Sequence, residues 1–256
     1  MMMVSIHFLK GKGMIKLVYM GSKNRLAKDI VPIIQSYIDK GCSGYLEPFV
    51  GGANIIDKIK CENKYGSDLN KYLIALLYHI SKNINDLPDE ISEEEYHKVK
   101  DNKDNCENWY VGLVGFCSTF GAKFFGGYGR EKDKNDKLHS IYGTRLNNLT
   151  NQAPNLKNIH FKCCSFQELN HVKNYVIYCD PPYRDTTKYA TETFPYDEFY
   201  DWCREMSKDN IVLVSEYNMP DDFKCIWSKE TKANFDSNRE SNDDKNIRVE
   251  KLWIKN

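Results

Sequence analysis

The 256-residue chain carries 36 Lys and Arg against 36 Asp and Glu, with 13% aromatic and 41% hydrophobic residues. This composition excludes wholesale disorder, and the even charge excludes a basic nucleic-acid arm spread over the whole chain, though not a local basic patch. The length fits one large domain, or one domain carrying an insertion.

Nine cysteines form no Cys-x-x-Cys pair, and six histidines form no His-x-x-x-His pair. A disulfide framework and a zinc site therefore lack support, no metal is expected, and the cysteines read as small apolar fillers in a reducing, cytoplasmic compartment. No run of about 18 apolar residues is present, so no membrane span is expected. Met1–Leu9 is too short an apolar stretch for a signal peptide. Met14 is expected as an alternative start, because Ile15–Val18 opens the first convincing ordered segment.

Leu26, Ile30, Ile33, Ile34, Tyr37 and Ile38 share one helical face, with a kink expected at Pro32. Gly41–Gly44 breaks that helix. Tyr45–Gly52 reads as a short strand running into a glycine turn, and Ala53–Ile59 as the helix after it. Lys64–Asp68 is a second strand ending on a carboxylate. Leu69, Tyr72, Leu73, Leu76 and Ile80 predict a helix over 69–82. Strand, glycine turn, helix, strand, acid, helix is the pattern of a parallel α/β domain.

The character changes after Ser81. Residues 86–107 hold nine acids against three bases, whereas residues 123–145 hold six bases against three acids. The basic stretch is interleaved with Phe124, Phe125, Tyr128 and several glycines, as expected of an inserted segment that touches something anionic. Later, Tyr175–Cys179 and Ile211–Ser215 are continuous apolar runs, predicting strands buried on both faces. Phe199, Trp202, Cys203 and Met206 predict a helix between them. Ser228–Asn246 is polar and reads as a loop, and Arg248–Ile254 as a last strand.

Asp180-Pro181-Pro182-Tyr183 directly follows the first of those buried strands. In an open parallel sheet, ligands bind outside the carboxyl ends of the strands. The prolines stiffen the backbone and leave carbonyl oxygens free to accept. An acid, a rigid carbonyl and an aromatic face suit a planar ring with an exocyclic NH2: Asp180 and the Pro181 carbonyl take the amino hydrogens, and Tyr183 stacks on the ring. The bland reading is a tight turn after a strand. Glu47-Pro48-Phe49-Val50-Gly51-Gly52 has glycines for close backbone approach, yet it is neither a dinucleotide fingerprint nor a P-loop. Asp68, at the next strand end, stands near the place of an acid that bonds ribose hydroxyls, about 20 residues on. It also suits the N-cap of the following helix.

Four motifs now stand in order: Tyr19-Met20-Gly21-Ser22-Lys23, Glu47–Gly52, Ser67-Asp68-Leu69-Asn70 and Asp180–Tyr183. From about Tyr19 to its end the chain resembles the Dam-type, alpha-group or D12 class, DNA adenine-N6 methyltransferases of bacteria and their phages. That family takes part in DNA methylation and restriction-modification. The resemblance implies an α/β, Rossmann-like sheet dependent on S-adenosylmethionine, with an inserted, mainly helical target-recognition segment. It divides the chain into 14–84 (donor binding), 85–152 (recognition) and 153–256 (catalytic motif). It implies that Tyr19, Lys23, Phe49, Gly51, Gly52 and Asp68 hold the donor, and that Asp180, Pro181, Pro182 and Tyr183 hold the adenine, Asp180 also lying close to the donor. Many members carry Asp-Phe or Asp-Tyr before the catalytic strand. Here Cys164-Ser165-Phe166 stands in that place without a carboxylate, leaving Ser165 to hydrogen-bond and Phe166 to pack on the donor's adenine.

Phe120–Arg130 resembles the family's glycine- and aromatic-rich segment that faces DNA. Lys123 and Arg130 are expected on phosphates, with Phe124 and Tyr128 wedging or stacking. The alternative is a glycine-rich hairpin with a small aromatic cluster. The resemblance implies double-stranded DNA as partner, with no membrane and no obligatory protein partner. The rival readings are methylation of cytosine N4, for which Ser-Pro-Pro-Tyr is the commoner motif, and a DNA-binding module that has lost catalysis.

Overall fold

The computed structural model describes residues 17–19, 21–121, 123–183, 194–232 and 247–255. Met14, with its expected start, lies outside the described residues, as do Met20 and Ala122 within the motifs above.

Helix α1, Ala27–Ile38, forms where its apolar stripe places it and carries Pro32 within it. Strand β1, Gly44–Glu47, runs into the glycine turn. Strand β2, Lys64–Asp68, ends on its carboxylate, and α2, Lys71–Asn83, follows. Its N-cap is Asn70, which accepts from the Tyr72 and Leu73 amides, so Asp68 does not cap the helix. Leu69, expected in the α2 stripe, precedes the helix and is exposed.

One predicted helix is absent. Ala53–Ile59 contains only a 3-10 turn at Ile56–Lys58. Ala53 sits at φ 56°, outside helical space. Nearly every residue from Ala53 to Ile59 is buried, so the stretch has no solvent face for an amphipathic helix to show. A side chain replaces part of the helical ladder: Gln152 Nε2 donates to the Gly52 carbonyl at 3.0 Å and to that of Ala53 at 3.3 Å.

Helices α3, Glu93–Asp101, and α4, Asn108–Cys117, lead to a hairpin of β3, Arg130–Lys132, and β4, Leu138–Ser140, and then to α5, Tyr142–Leu156. From Val111 to Cys117 helix α4 is buried all round, and it lies against α2; Gly112 approaches so closely that a Cβ there would meet the Tyr72 carbonyl oxygen at 2.3 Å. The stretch 85–152 therefore shares a core with the first part of the chain.

Strand β5, Ile159–Cys163, had no apolar run to announce it. It pairs on one side only, with β2, and exposes much of its length, so polar residues suit it. Strand β6, Tyr175–Cys179, helix α6, Tyr196–Met206, and strand β7, Ile211–Ser215, appear as expected. The loop expected from Ser228 is corrected: β8, Lys224–Lys232, runs through it, pairing with β9, Ile247–Lys255. β8 is also an edge strand, where a polar composition does not distinguish strand from loop. Residues 233–246 lie outside the described set.

The sheet order is β5-β2-β1-β6-β7-β9-β8, parallel from β5 to β7 and antiparallel at β9 and β8. Successive residues of β6 feed opposite faces. Val176 and Tyr178 join the cluster under α1, α2, α4 and α5, while Ile177 and Cys179 join the one under α6. That two-sided burial explains the unbroken apolar run. After β1 the chain moves outward to β2 and β5, then returns to the other side of β1 as β6. The carboxyl ends of β1 and β6 thus lie together at the point where strand order reverses. Among the described residues no helix is long and apolar enough to cross a membrane.

Candidate active site

The strand-order reversal gathers most of the residues singled out above. Phe49 leaves β1, Asp68 ends β2, and Asp180 follows β6 directly. Register sets their level, since Leu46 pairs with Ile177 and Glu47 with Gly66.

Asp180 is the electrostatic centre. Lys23 Nζ lies 2.9 Å from Asp180 Oδ1, with both side chains largely out of water. Burial raises the Asp180 carboxyl above the usual range for an aspartate, and the Lys23 ammonium works against that rise. Burial alone would lower Lys23; Asp180 and Glu250 outweigh it and hold the ammonium above its ordinary value. The same ammonium sits 4.4 Å over the centroid of the Tyr183 ring, a cation–π contact. Tyr183 donates from its hydroxyl to Glu250 Oε2 at 3.0 Å and meets Tyr217 edge-on, with centroids 4.6 Å apart. Pro181 is buried, while the exposed Pro182 offers its carbonyl to the Tyr196 hydroxyl at 2.9 Å.

The glycine turn is built from both sides. Asp68 Oδ2 accepts the Gly51 amide at 3.2 Å, and its Oδ1 accepts the Asn70 amide at 3.0 Å. Each oxygen keeps acceptor capacity for another hydroxyl. Gly51 sits at φ 47°, and a Cβ there would meet the Tyr19 ring at 3.0 Å; one on Gly52 would meet the Leu17 carbonyl oxygen at 2.9 Å. The close approach that these glycines permit is therefore made by the Leu17–Tyr19 strip. Tyr19 packs on Phe116, and burial, with Asp68 nearby, raises its phenol.

Phe49 and Phe166 face each other with centroids 5.8 Å apart, beside Phe194 and Phe199. Ser165 caps the 3-10 turn Phe166–Glu168, its hydroxyl accepting from the Gln167 amide and its own amide donating to Glu168. Asp68, with acceptor capacity left on each oxygen, has the chemistry to hold a ribose, and Phe49, half-buried beside the buried Phe166, that of an apolar wall for an adenine, as the nucleoside donor expected from the sequence requires. Among the described residues no group of His, Cys, Asp or Glu is placed to hold a metal ion.

The glycine- and aromatic-rich segment lies apart from this cluster in the chain. Its backbone folds around the Thr119 hydroxyl, which accepts the Gly126 amide at 2.9 Å and lies 3.1 Å from the carbonyls of Lys123 and Gly127. Phe124 packs inward on Phe116 and Tyr72, and Tyr128 donates to the Ile91 carbonyl at 2.8 Å. Arg130 pairs with Glu93 and covers the Tyr128 ring. Lys123 is exposed, and so is Phe120, which keeps 70% of its surface in solvent.

Two participants, Glu250 and Gln152, and the exposure of Phe120 escaped the sequence reading. Glu250 had a signal: it shares a strand face with the buried Leu252 and Ile254, an acid in a core-facing register. Gln152, fully buried in α5, and the solvent exposure of Phe120 had none.

The family model of the D12 class N6 adenine-specific DNA methyltransferases matches residues 19–240. The chain is 27% identical over 197 residues to the Type II methyltransferase M.FokI of Planomicrobium okeanokoites, over 67% of this chain and 29% of that one. It therefore spans under a third of that curated relative. A crystal structure of HI0767 from Haemophilus influenzae superposes over 93% of this chain and 90% of that one, at 10% identity and a TM-score of 0.33.

Proposed function

The chain belongs to the D12 class N6 adenine-specific DNA methyltransferases, and on that premise we propose that it methylates the N6 amino group of adenine in double-stranded DNA. Bound S-adenosylmethionine would supply an electrophilic methyl group. Asp68 would hold its ribose, Phe49 and Phe166 its adenine, Tyr19, Gly51 and Gly52 would wall it at the glycine turn, and Lys23 would meet it beside Asp180. Ser165, engaged in its cap, would contribute shape more than a new hydrogen bond.

The target amine is a poor nucleophile because its lone pair is delocalised into the ring. Asp180 counters this by accepting an amino hydrogen and by stabilising the positive charge that develops on nitrogen. Pro181 and Pro182 hold the backbone stiff beneath it. An adenine stacked inside the duplex cannot reach this corner, so the base would leave the stack, and the Tyr183 face would replace part of the lost stacking. Alignment in a water-poor site would supply much of the rate.

The observation that carries this reading is the placement of Lys23. Its ammonium bonds Asp180 at 2.9 Å while resting over the Tyr183 ring. A nitrogen bearing protons is thus held between the same carboxylate and aromatic face that would receive an adenine amino group. In the recognition segment, the exposed Lys123 and Phe120 are candidates for contacting phosphate and wedging a base step, while Arg130, also exposed, is paired with Glu93.

The test uses tritiated methyl donor and unmethylated genomic DNA. Asp180→Ala is expected to abolish transfer while circular dichroism reports a folded chain, and the labelled product is expected to be N6-methyladenine. Retained turnover in that variant, or label on cytosine N4, would overturn the assignment.

A further inference from the structure

We infer that Glu250 is a positioning residue for the reaction, setting the ring of Tyr183 through its hydroxyl; this rests on the function proposed above. Glu250 lies beyond the family match, which ends at residue 240. It stands on β9, antiparallel to β7 and so to the three strands, β1, β2 and β6, that lead into the motifs. Its carboxylate nevertheless reaches the catalytic corner, accepting from the Tyr183 hydroxyl at 3.0 Å.

Two further contacts define what that bond does. The Tyr217 ring meets Tyr183 at 86°, bracing it from the side. Lys23 lies on the face of the Tyr183 ring and pairs with Asp180. The ring thus has an occupied face, a braced edge and a tethered hydroxyl. A tyrosine held only by its Cα–Cβ bond keeps rotational freedom at χ1 and χ2. The tether at the far end of the ring restricts χ1, while the Tyr217 edge contact and Lys23 on the face resist rotation about χ2, the axis on which the hydroxyl oxygen lies; β9 supplies the tether from a strand fastened along β7 by Leu252 and Trp253. The face that a base would stack on is therefore oriented before the base arrives, which spares an ordering cost at the reacting step.

The experiment compares the parent, Glu250→Ala, Glu250→Gln, Tyr183→Phe and the Tyr183→Phe/Glu250→Ala pair, in the tritium assay with unmethylated genomic DNA. Glu250→Ala is expected to lower kcat about tenfold or more while leaving the donor KM within about twofold. Glu250→Gln keeps an acceptor oxygen and is expected to retain most of the rate. In the Tyr183→Phe background, which lacks the hydroxyl, Glu250→Ala is expected to change kcat by less than about twofold. An equal loss in both backgrounds would overturn the inference, because Glu250 would then be acting through something other than Tyr183. A second measurement needs no turnover: 3-fluorotyrosine at position 183 is expected to give a fluorine resonance that shifts and broadens in Glu250→Ala and recovers in Glu250→Gln. An unmoved resonance overturns the tether. If the parent methylates no DNA, the function proposed above fails, and the fluorine spectrum still decides whether Glu250 sets the ring.

Discussion

At the scale of single residues, the site is a set of buried charges whose cost is met by neighbours. Asp180 has the Lys23 ammonium; Glu47, at the end of β1, has the Tyr45 hydroxyl at 3.0 Å and the Ile56 backbone amide, neither of them a charge. Burial pushes the Glu47 carboxyl well above the glutamate range, and the bonds from Tyr45 and Ile56 only partly oppose it. The folded protein therefore holds a proton on Glu47 at pH values where the unfolded chain has released it. Stability from this group is present below the ordinary glutamate pKa and is lost as pH rises toward the folded value. Glu47→Gln keeps an oxygen for Tyr45 and has nothing to ionise. It is expected to gain stability relative to the parent as pH is raised from 5 to 8, read by urea unfolding at each pH; a constant difference would show that folded and unfolded chains hold the same protonation of Glu47 across that window. None of this was legible locally, since Glu47 in the sequence is simply an acid before a proline, and only the closing of β2 and β6 on either side removes its water.

At the scale of elements, the glycine turn shows why one predicted helix failed. A turn followed by Ala53–Ile59 looks helical in sequence, yet the chain there is fastened from α5, a hundred residues away. Gln152 accepts the Leu17 amide at 3.1 Å through Oε1 while its Nε2 donates to the Gly52 carbonyl at 3.0 Å. One side chain thus joins the first described strip, the glycine turn and a helix of the stretch 85–152. Gln152→Ala would leave buried backbone groups without partners and a cavity beside them, so a loss of about 3 kcal/mol is expected, measured as a lower urea midpoint at unchanged slope. The same variant should weaken donor binding in calorimetry, because Gly51 and Asp68 are held by the turn it secures. Elements with a strong period of their own, α1, β6, α6 and β7, appeared where the sequence placed them. The edge strands β5 and β8 did not, because a strand with one neighbour and a solvated face need not be apolar.

At the scale of the whole molecule, the balanced charge hides a division. The acidic stretch 86–107 includes α3, and the basic stretch 123–145 includes the β3–β4 hairpin, and Arg130 of the one pairs with Glu93 of the other. Part of the basic character is thus neutralised within the protein, leaving the exposed Lys123 as the clearer phosphate candidate. Lys123→Ala is expected to weaken binding to a DNA duplex and to lower the slope of log affinity against log salt by about one, as read by fluorescence anisotropy. Arg130→Ala should change the slope less. An unchanged slope in Lys123→Ala would mean that this lysine touches no phosphate.

The sequence by itself determined the parallel α/β plan, the strands buried on both faces, and the acid–proline–proline–tyrosine motif at a strand end. Each of these is written in a stretch short enough for periodicity or residue order to reveal it. Only the tertiary structure decided that Lys23 fills the corner between Asp180 and Tyr183, that Gln152 fastens the glycine turn, that Phe124 turns inward while Phe120 stays in solvent, and that Glu250 reaches the site from the last strand. These are contacts between residues mostly far apart in the chain. Strand order and register bring them together, and no local pattern of hydrophobicity encodes which distant side chain will share a buried hydrogen bond.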